Sequence, residues 1–433
     1  MSDVRATVGD SSWFVHDRFG LFIHWGLYAL PARHEWVKQI EQIPDDVYEK
    51  YFEHFDPDLY DPALWAQATA EAGMKYFVIT TKHHDGFCLW DSALTDYKVT
   101  NTPYGKDLIG PMVEAYRAEG LKVGFYHSLI DWHHPDFVID DTHAMRNHPD
   151  RATLNETRDQ SKYAAYLHGQ TRELLTQFGD VNAMFFDFSY PSSENRVGKG
   201  HDDWDSEKLL AMVRELQPGI LVNDRLDLND VEGGWDYKTP EQFMARNWVT
   251  VNGQKVVWET CQTFSGSWGY HRDEASWKST KQLLTLLIDS VSKGGNLLLN
   301  VGPTGRGEFD RRALDRLSGM GTWMKRHARA VYGCSQAPEE FRTPRDCRLT
   351  YHAETNRLYV HILNWPLKQL HLDGFKDRVE YAQLLNDASE VPFHALPAHQ
   401  ASIDPTAAET LTIDLPVLQP DTEVPVVELY LKK

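Results

Sequence analysis

The chain has 433 residues, of which 42% are hydrophobic, 12% aromatic and 25% charged, with a formal net charge of −19. That is a globular composition, long enough for a large core and two domains. So acidic a surface argues against nucleic acid and anionic membrane as partners, and no stretch approaches the ~20 apolar residues of a membrane span.

Short apolar runs alternate with longer amphipathic stretches through the first three quarters of the chain. Strands are expected at residues 21–24, 76–80, 122–126, 183–187, 220–223, 256–258 and 296–301. Helices are expected at 62–72, 108–119, 162–178, 206–216 and 280–292, the last three on apolar spacing of three and four residues. Gly73, Gly120 and Gly294 follow several of them as stop signals. Strand–helix alternation on this scale predicts parallel strands joined by crossover helices, an α/β fold of the (β/α)8-like barrel kind. Seven strands are visible; an eighth is needed to close the ring.

Beyond about Met324 the pattern changes. Short alternating runs at 348–352, 357–363, 370–372, 410–414 and 424–431 are separated by Pro and polar clusters. They predict an antiparallel β-sandwich over 331–433, packed on a barrel of 1–330. The N-terminus lacks the charged and apolar regions of a secretory signal. Cys88, Cys261, Cys334 and Cys347 are scattered without a CxxC pair, and read as reduced core thiols. Both features predict a cytoplasmic enzyme.

Active sites of parallel α/β folds form at the C-terminal ends of the strands. There this sequence places His24 and Trp25, His83 and His84, Tyr126 and His127, Asp187, Asn223 with Arg225, Glu259, and Asn300. A single polar group at such a point is usually a satisfied core residue. Seven apolar runs that all end this way are hard to explain by stability, because buried polar groups cost free energy unless paired. Asp187, ending Phe185-Phe186-Asp187, has two readings. It caps the following turn, or it is a glycosidase nucleophile that forms a glycosyl-enzyme ester, with a second carboxyl group protonating the leaving oxygen.

The pair His83-His84 also has two readings. Adjacent residues at a strand end point opposite ways, so one metal ion does not readily take both. No HxH or HExxH accompanies them. Neutral imidazoles that bind sugar hydroxyls are favoured, because each offers a donor and an acceptor. No metal or cofactor is expected. The loop Asp131-Trp132-His133-His134 is equally a site wall or a surface loop.

At this point the sequence resembles a known family. Phe19 to Gly26, Glu35-Trp36, Thr81 to Phe87, Asn223-Asp224-Arg225, Trp258-Glu259-Thr260-Cys261, Ser267 to Tyr270 and Gly294 to Pro303 resemble the retaining α-L-fucosidases. The motifs span nearly the whole barrel; the sandwich matches the family only in kind. The resemblance implies release of α-L-fucose without metal or cofactor, and a fucosylated carbohydrate as the small-molecule partner. Asp187 then looks like the nucleophile. His24, His83, His84, Tyr126 and Arg225 look like fucose-binding residues, with Glu35, Trp36 and Trp268 lining the site. Phe185 departs from the family, which often has Trp two residues before the nucleophile.

Two residues compete for the acid/base. Glu241 follows Trp235-Asp236-Tyr237-Lys238-Thr239-Pro240, a segment similar to the one that bears this group in some members. Glu259 is expected at a strand end inside the Trp-Glu-Thr-Cys motif. Glu241 is favoured, because a loop carboxyl can swing in when substrate binds. Hydrolysis of a related sugar such as an α-L-galactoside is the near alternative, since a pocket rejects an added hydroxyl only weakly. A sugar-binding protein on an inactive barrel is the alternative of another class; it has no need of a second carboxyl. A metal-dependent hydrolase or isomerase ranks third.

Overall fold

The computed structural model describes residues 3–397, 399, 402 and 405–433. Eight parallel strands build one sheet: β1 (Phe19–Ile23), β2 (Tyr76–Lys82), β3 (Lys122–Ser128), β4 (Ala183–Asp187), β5 (Leu221–Val222), β6 (Tyr237–Lys238), β7 (Val257–Thr263) and β8 (Asn296–Val301). They lie side by side in the order β5-β4-β3-β2-β1-β8-β7-β6, and a parallel bridge from Asn223 to Tyr237 closes the ring. Both faces are covered, which is why the strands read as near-continuous apolar runs. In β1, Phe22 points into the barrel beside Tyr126, Phe185 and Leu298, while Phe19, Leu21 and Ile23 face the helices.

Helices Pro62–Glu71, Ile109–Ala118, Gln160–Gln177, Ser206–Leu216, Thr280–Val291 and Arg311–His327 surround the sheet. The first begins on Asp61, whose carboxylate accepts the Ala63 and Leu64 N–H groups, with Pro62 in the first turn. Among the described residues no helix lies between β5 and β6 or between β6 and β7. Those two short strands are held by side chains instead. Asn223 exchanges two hydrogen bonds with the Phe186 backbone (3.0 and 2.8 Å), extending the ladder between β4 and β5. The Asp236 carboxylate accepts Val222 N–H at 2.7 Å, Arg214 at 2.6 Å, and the Val8 and Gly9 N–H groups. Among the described residues no helix is long and apolar enough to cross a membrane.

The last barrel helix ends at His327, and the strands that follow start at Ser335. A five-stranded and a three-stranded antiparallel sheet enclose a second core around Leu349, Leu358, Val360, Leu372, Ile413 and Leu429. Trp323 donates its indole N–H to the Val424 carbonyl at 2.8 Å, and Arg348 reaches Asp289 at 2.6 Å, fastening this layer to the barrel.

Two departures from the sequence reading matter. The missing eighth strand is Tyr237–Lys238, two residues long and without periodicity. The seventh strand does not end at residue 258 but runs to Thr263. Glu259 therefore lies opposite Asn296, the first residue of β8, on the floor of the barrel and not at its rim.

Candidate active site

The C-terminal rim of the barrel forms a cleft of about 370 Å³ counting its open mouth. Asp187, at the end of β4, stands in it between three donors. Tyr126 gives its hydroxyl to Oδ2 at 2.8 Å, Arg225 gives Nη1–H to Oδ1 at 3.1 Å, and the Phe188 N–H also reaches the carboxylate. Burial pushes the Asp187 carboxyl up; Arg225, Tyr126 and Phe188 pull it back toward the ionised form, while Glu241 pushes it up again. Phe188 holds φ at 82°, a strained value for an aromatic residue, directly after this carboxylate. Its ring packs on Trp36 and His84.

The consecutive residues Asn223, Asp224 and Arg225 serve the two strands on either side of β5. Asn223 secures β4 as described. Asp224 accepts the Thr239 N–H at 3.1 Å and hydroxyl at 2.6 Å, fixing the exit of β6. Arg225 is itself steered by the Thr239 hydroxyl (2.9 Å) and carbonyl (3.1 Å). Its second nitrogen, Nη2, donates to Glu241 Oε2 at 3.1 Å. One guanidinium thus spans both carboxyl groups, Nη1 on Asp187 and Nη2 on Glu241. Burial works against the Arg225 charge, but the flanking carboxylates more than offset it and raise its pKa.

Glu241 follows β6 on a loop drawn onto β7, where Gln242 donates its N–H to the Cys261 carbonyl at 3.0 Å. Its side chain is 44% exposed, against 14% for Asp187. One carboxyl is buried and charge-paired; the other opens to solvent at the mouth.

Three imidazoles also line the cleft. His24 sits edge-on to Phe22, and His83 and His84 pack at 4.0 Å between ring centres. Burial lowers all three; His24 falls to about 3, and the other two lie well below the ordinary value. They are neutral. Trp268 lies 5.1 Å from His24 and 5.9 Å from Phe22, closing one side.

The structure brings together Asp187, Glu241, His24, His83, His84, Tyr126, Arg225, Trp36 and Trp268. Two expected residues stand elsewhere. Glu259 takes the Tyr76 hydroxyl within the barrel floor, where burial raises it to about 8, and it does not line the cleft. Glu35 is not on the cleft wall. Its carboxylate accepts the Gly269 N–H at 2.8 Å and pins the loop that carries Trp268. Phe22, Phe188 and Cys261 line the cleft without having been expected there. Alternation along β1 and β7 signals Phe22 and Cys261; nothing signals Phe188. Among the described residues no group of three or more His, Cys, Asp or Glu is poised to hold a metal ion.

A (β/α) barrel with a charge-paired Asp after its fourth strand and a second carboxyl across a guanidinium defines the class: a glycoside hydrolase. A family model described as α-L-fucosidase matches residues 5–329, and the chain belongs to that family. The chain is 44% identical to α-L-fucosidase isoenzyme 1 from Paenibacillus thiaminolyticus, with 98% and 99% of the two chains covered and a TM-score of 0.90. A fucosidase from Bacteroides thetaiotaomicron is 28% identical over 99% and 98%, with a TM-score of 0.82; its structure traps a covalent intermediate on a Glu-to-Gln variant. The tissue α-L-fucosidase of Macaca fascicularis is 28% identical over 382 residues, 82% of this chain and 75% of that one.

Proposed function

We propose that the protein hydrolyses terminal α-L-fucosides with retention of configuration, through a glycosyl-enzyme ester on Asp187. The observation that carries this reading is Arg225, whose two nitrogens hold Asp187 and Glu241 over one cleft walled by neutral imidazoles.

The chemistry follows from the two environments. Asp187, kept ionised by Arg225 and Tyr126, attacks the anomeric carbon as the bond to the leaving oxygen breaks. Glu241, at the open mouth, gives its proton to that oxygen. A water then enters, Glu241 takes its proton, and the oxygen attacks the anomeric carbon and releases Asp187. Two inversions leave the configuration unchanged. His24, His83 and His84 bind sugar hydroxyls, and the faces of Phe22, Phe185 and Trp268 offer apolar surface to the methyl group of a 6-deoxy sugar. The partner is a fucosylated oligosaccharide or glycoconjugate, and the expected setting is the cytoplasm.

Following an aryl α-L-fucoside by proton NMR tests the reading: α-L-fucose must appear first and mutarotate later. First appearance of the β anomer would exclude the ester. Preference for an aryl α-L-galactoside in kcat/KM would move the substrate to the related sugar.

A further inference from the structure

Sugar hydroxyls are both donors and acceptors, so what a histidine wall selects depends on which ring nitrogen holds the proton. Two residues outside that wall decide it here. Asn300, buried near the end of β8, lies between the Trp268 carbonyl and the His24 ring. Its Nδ2 is 2.6 Å from Trp268 O, and its Oδ1 is 2.6 Å from His24 Nδ1. A carbonyl only accepts, so the amide nitrogen must face Trp268 and the amide oxygen must face His24. The proton in the second contact therefore belongs to His24 Nδ1.

Ser128, the last residue of β3 and fully buried, does the same for His84. Its Oγ is 2.7 Å from the Ile130 carbonyl and 2.6 Å from His84 Nδ1. A hydroxyl has one proton to give, and the Ile130 carbonyl needs it. His84 Nδ1 must then be the donor to Ser128. A neutral ring carries a single N–H, and burial disfavours the charged form of both rings. Nε2 is left bare on each, and both rings line the cleft. His84 Nε2 is 3.8 Å from Asp187 Oδ2, too far for a hydrogen bond and lacking a donor until a ligand supplies one.

We infer that Asn300 and Ser128 are positioning residues that hold His24 and His84 in the Nδ1–H tautomer, so that the cleft presents two bare acceptors and selects its sugar by two hydroxyl groups that donate. This rests on the proposed fucosidase reading and adds to it the polarity of recognition. Replacing either of those hydroxyls by hydrogen or by fluorine costs the same, because fluorine has no proton to give. Were the rings donors, fluorine would recover part of the loss.

The test has two arms. Nitrogen NMR of the ligand-free protein labelled at histidine, with His24→Gln and His84→Gln to assign the signals, reads the tautomers directly. The expected result is a protonated Nδ1 and a bare Nε2 on both rings; a proton on either Nε2 overturns the inference. Ser128→Ala should mix the His84 tautomers and raise the inhibition constant for L-fucose on the order of 10–100-fold. Asn300→Asp should put a second proton on His24 and add an ionisation to the pH profile of kcat/KM that a purely structural defect would not create. Unchanged ring signals in both variants would also overturn it. The second arm compares inhibition constants for L-fucose and its singly deoxygenated and singly fluorinated analogues. At two positions the deoxy and fluoro compounds should both weaken by at least about 100-fold and agree with each other within about threefold. Fluoro analogues that bind like L-fucose at every position would contradict the two acceptors. No inhibition by L-fucose itself would overturn the sugar assignment alone, leaving the ring signals to decide the tautomers.

Discussion

The barrel encloses two carboxylate sites of opposite use. At the rim, Asp187 and Glu241 share Arg225 and face a cleft. On the floor, Glu259 meets Tyr76, whose hydroxyl also lies 3.3 Å from Asn296. Both sites bury an acid and raise its pKa. Only the rim adds a cation against its acid and a second carboxyl open to water. Burial alone keeps the proton on; burial opposed by a fixed charge favours the ionised form, which the nucleophile proposed for Asp187 requires. The difference lies in neighbours and access, not in residue type.

The largest expected break in this contrast is Asp187→Asn. The amide is nearly isosteric and cannot attack, so kcat should fall by about 10⁴-fold or more with the melting curve unchanged. Steady-state kinetics beside a thermal melt reads both. Near-normal turnover would end the assignment.

Glu241→Ala comes next. A general acid contributes roughly 10²–10⁴-fold, and only when the leaving group is poor. Hydrolysis of a fucosylated oligosaccharide should fall by that range, while the first step on an activated aryl fucoside should survive. Azide should rescue turnover and give a fucosyl azide of retained configuration. Rescue seen in a Glu259 variant and not in this one would reverse the roles of rim and floor.

Removing the rim's cation sharpens the comparison. A nucleophile must be ionised, so kcat/KM should rise with pH through the Asp187 pKa, which burial has lifted above the ordinary value of 3.8. Arg225→Gln deletes the main opposing charge and should move that acid limb up by a further ~1–2 pH units. A limb that stays in place would show that Asp187 does not set it.

Glu259→Gln should leave kcat/KM within about twofold on both substrates, because the floor touches no substrate. Its signature is in stability. The folded protein holds this proton to about pH 8, whereas the unfolded chain releases it near the ordinary 4.5. The wild type therefore loses stability as pH rises between those values, and the amide, which cannot ionise, should be more stable at pH 8 by on the order of 1–3 kcal/mol. Parallel denaturation curves at pH 5 and pH 8 would exclude a raised Glu259.

Smallest of all is the effect of a strong chelator: activity should not change. Silencing that zinc or manganese reverses would return His83 and His84 to the metal reading.

Much of the rim was legible in the sequence because strand ends carry chemistry. His24, His83, Tyr126 and Asp187 each close an apolar run, and a parallel barrel gathers such ends on one face. The floor was not legible. Glu259 follows Val256-Val257-Trp258 and looks terminal only if the strand stops there, whereas Thr260 to Thr263 are buried too and the strand continues. Strand β6 is too short for any period, and what keeps it in place is the reach of Asp236 and Asp224, which spacing does not reveal. Glu35 was placed by its motif; its carboxylate turned to a backbone N–H more than two hundred residues away. The turn at Phe188 has no local signal at all, since a positive φ is usually marked by Gly or Asn.

The contrast between rim and floor is decided most directly by trapping the ester. Glu241→Gln, incubated with a 2-fluorofucosyl fluoride and digested, should carry one fluorofucosyl group on the peptide that contains Asp187. Label on the peptide that contains Glu259, or fluoride release with no covalent adduct on any peptide, would contradict it.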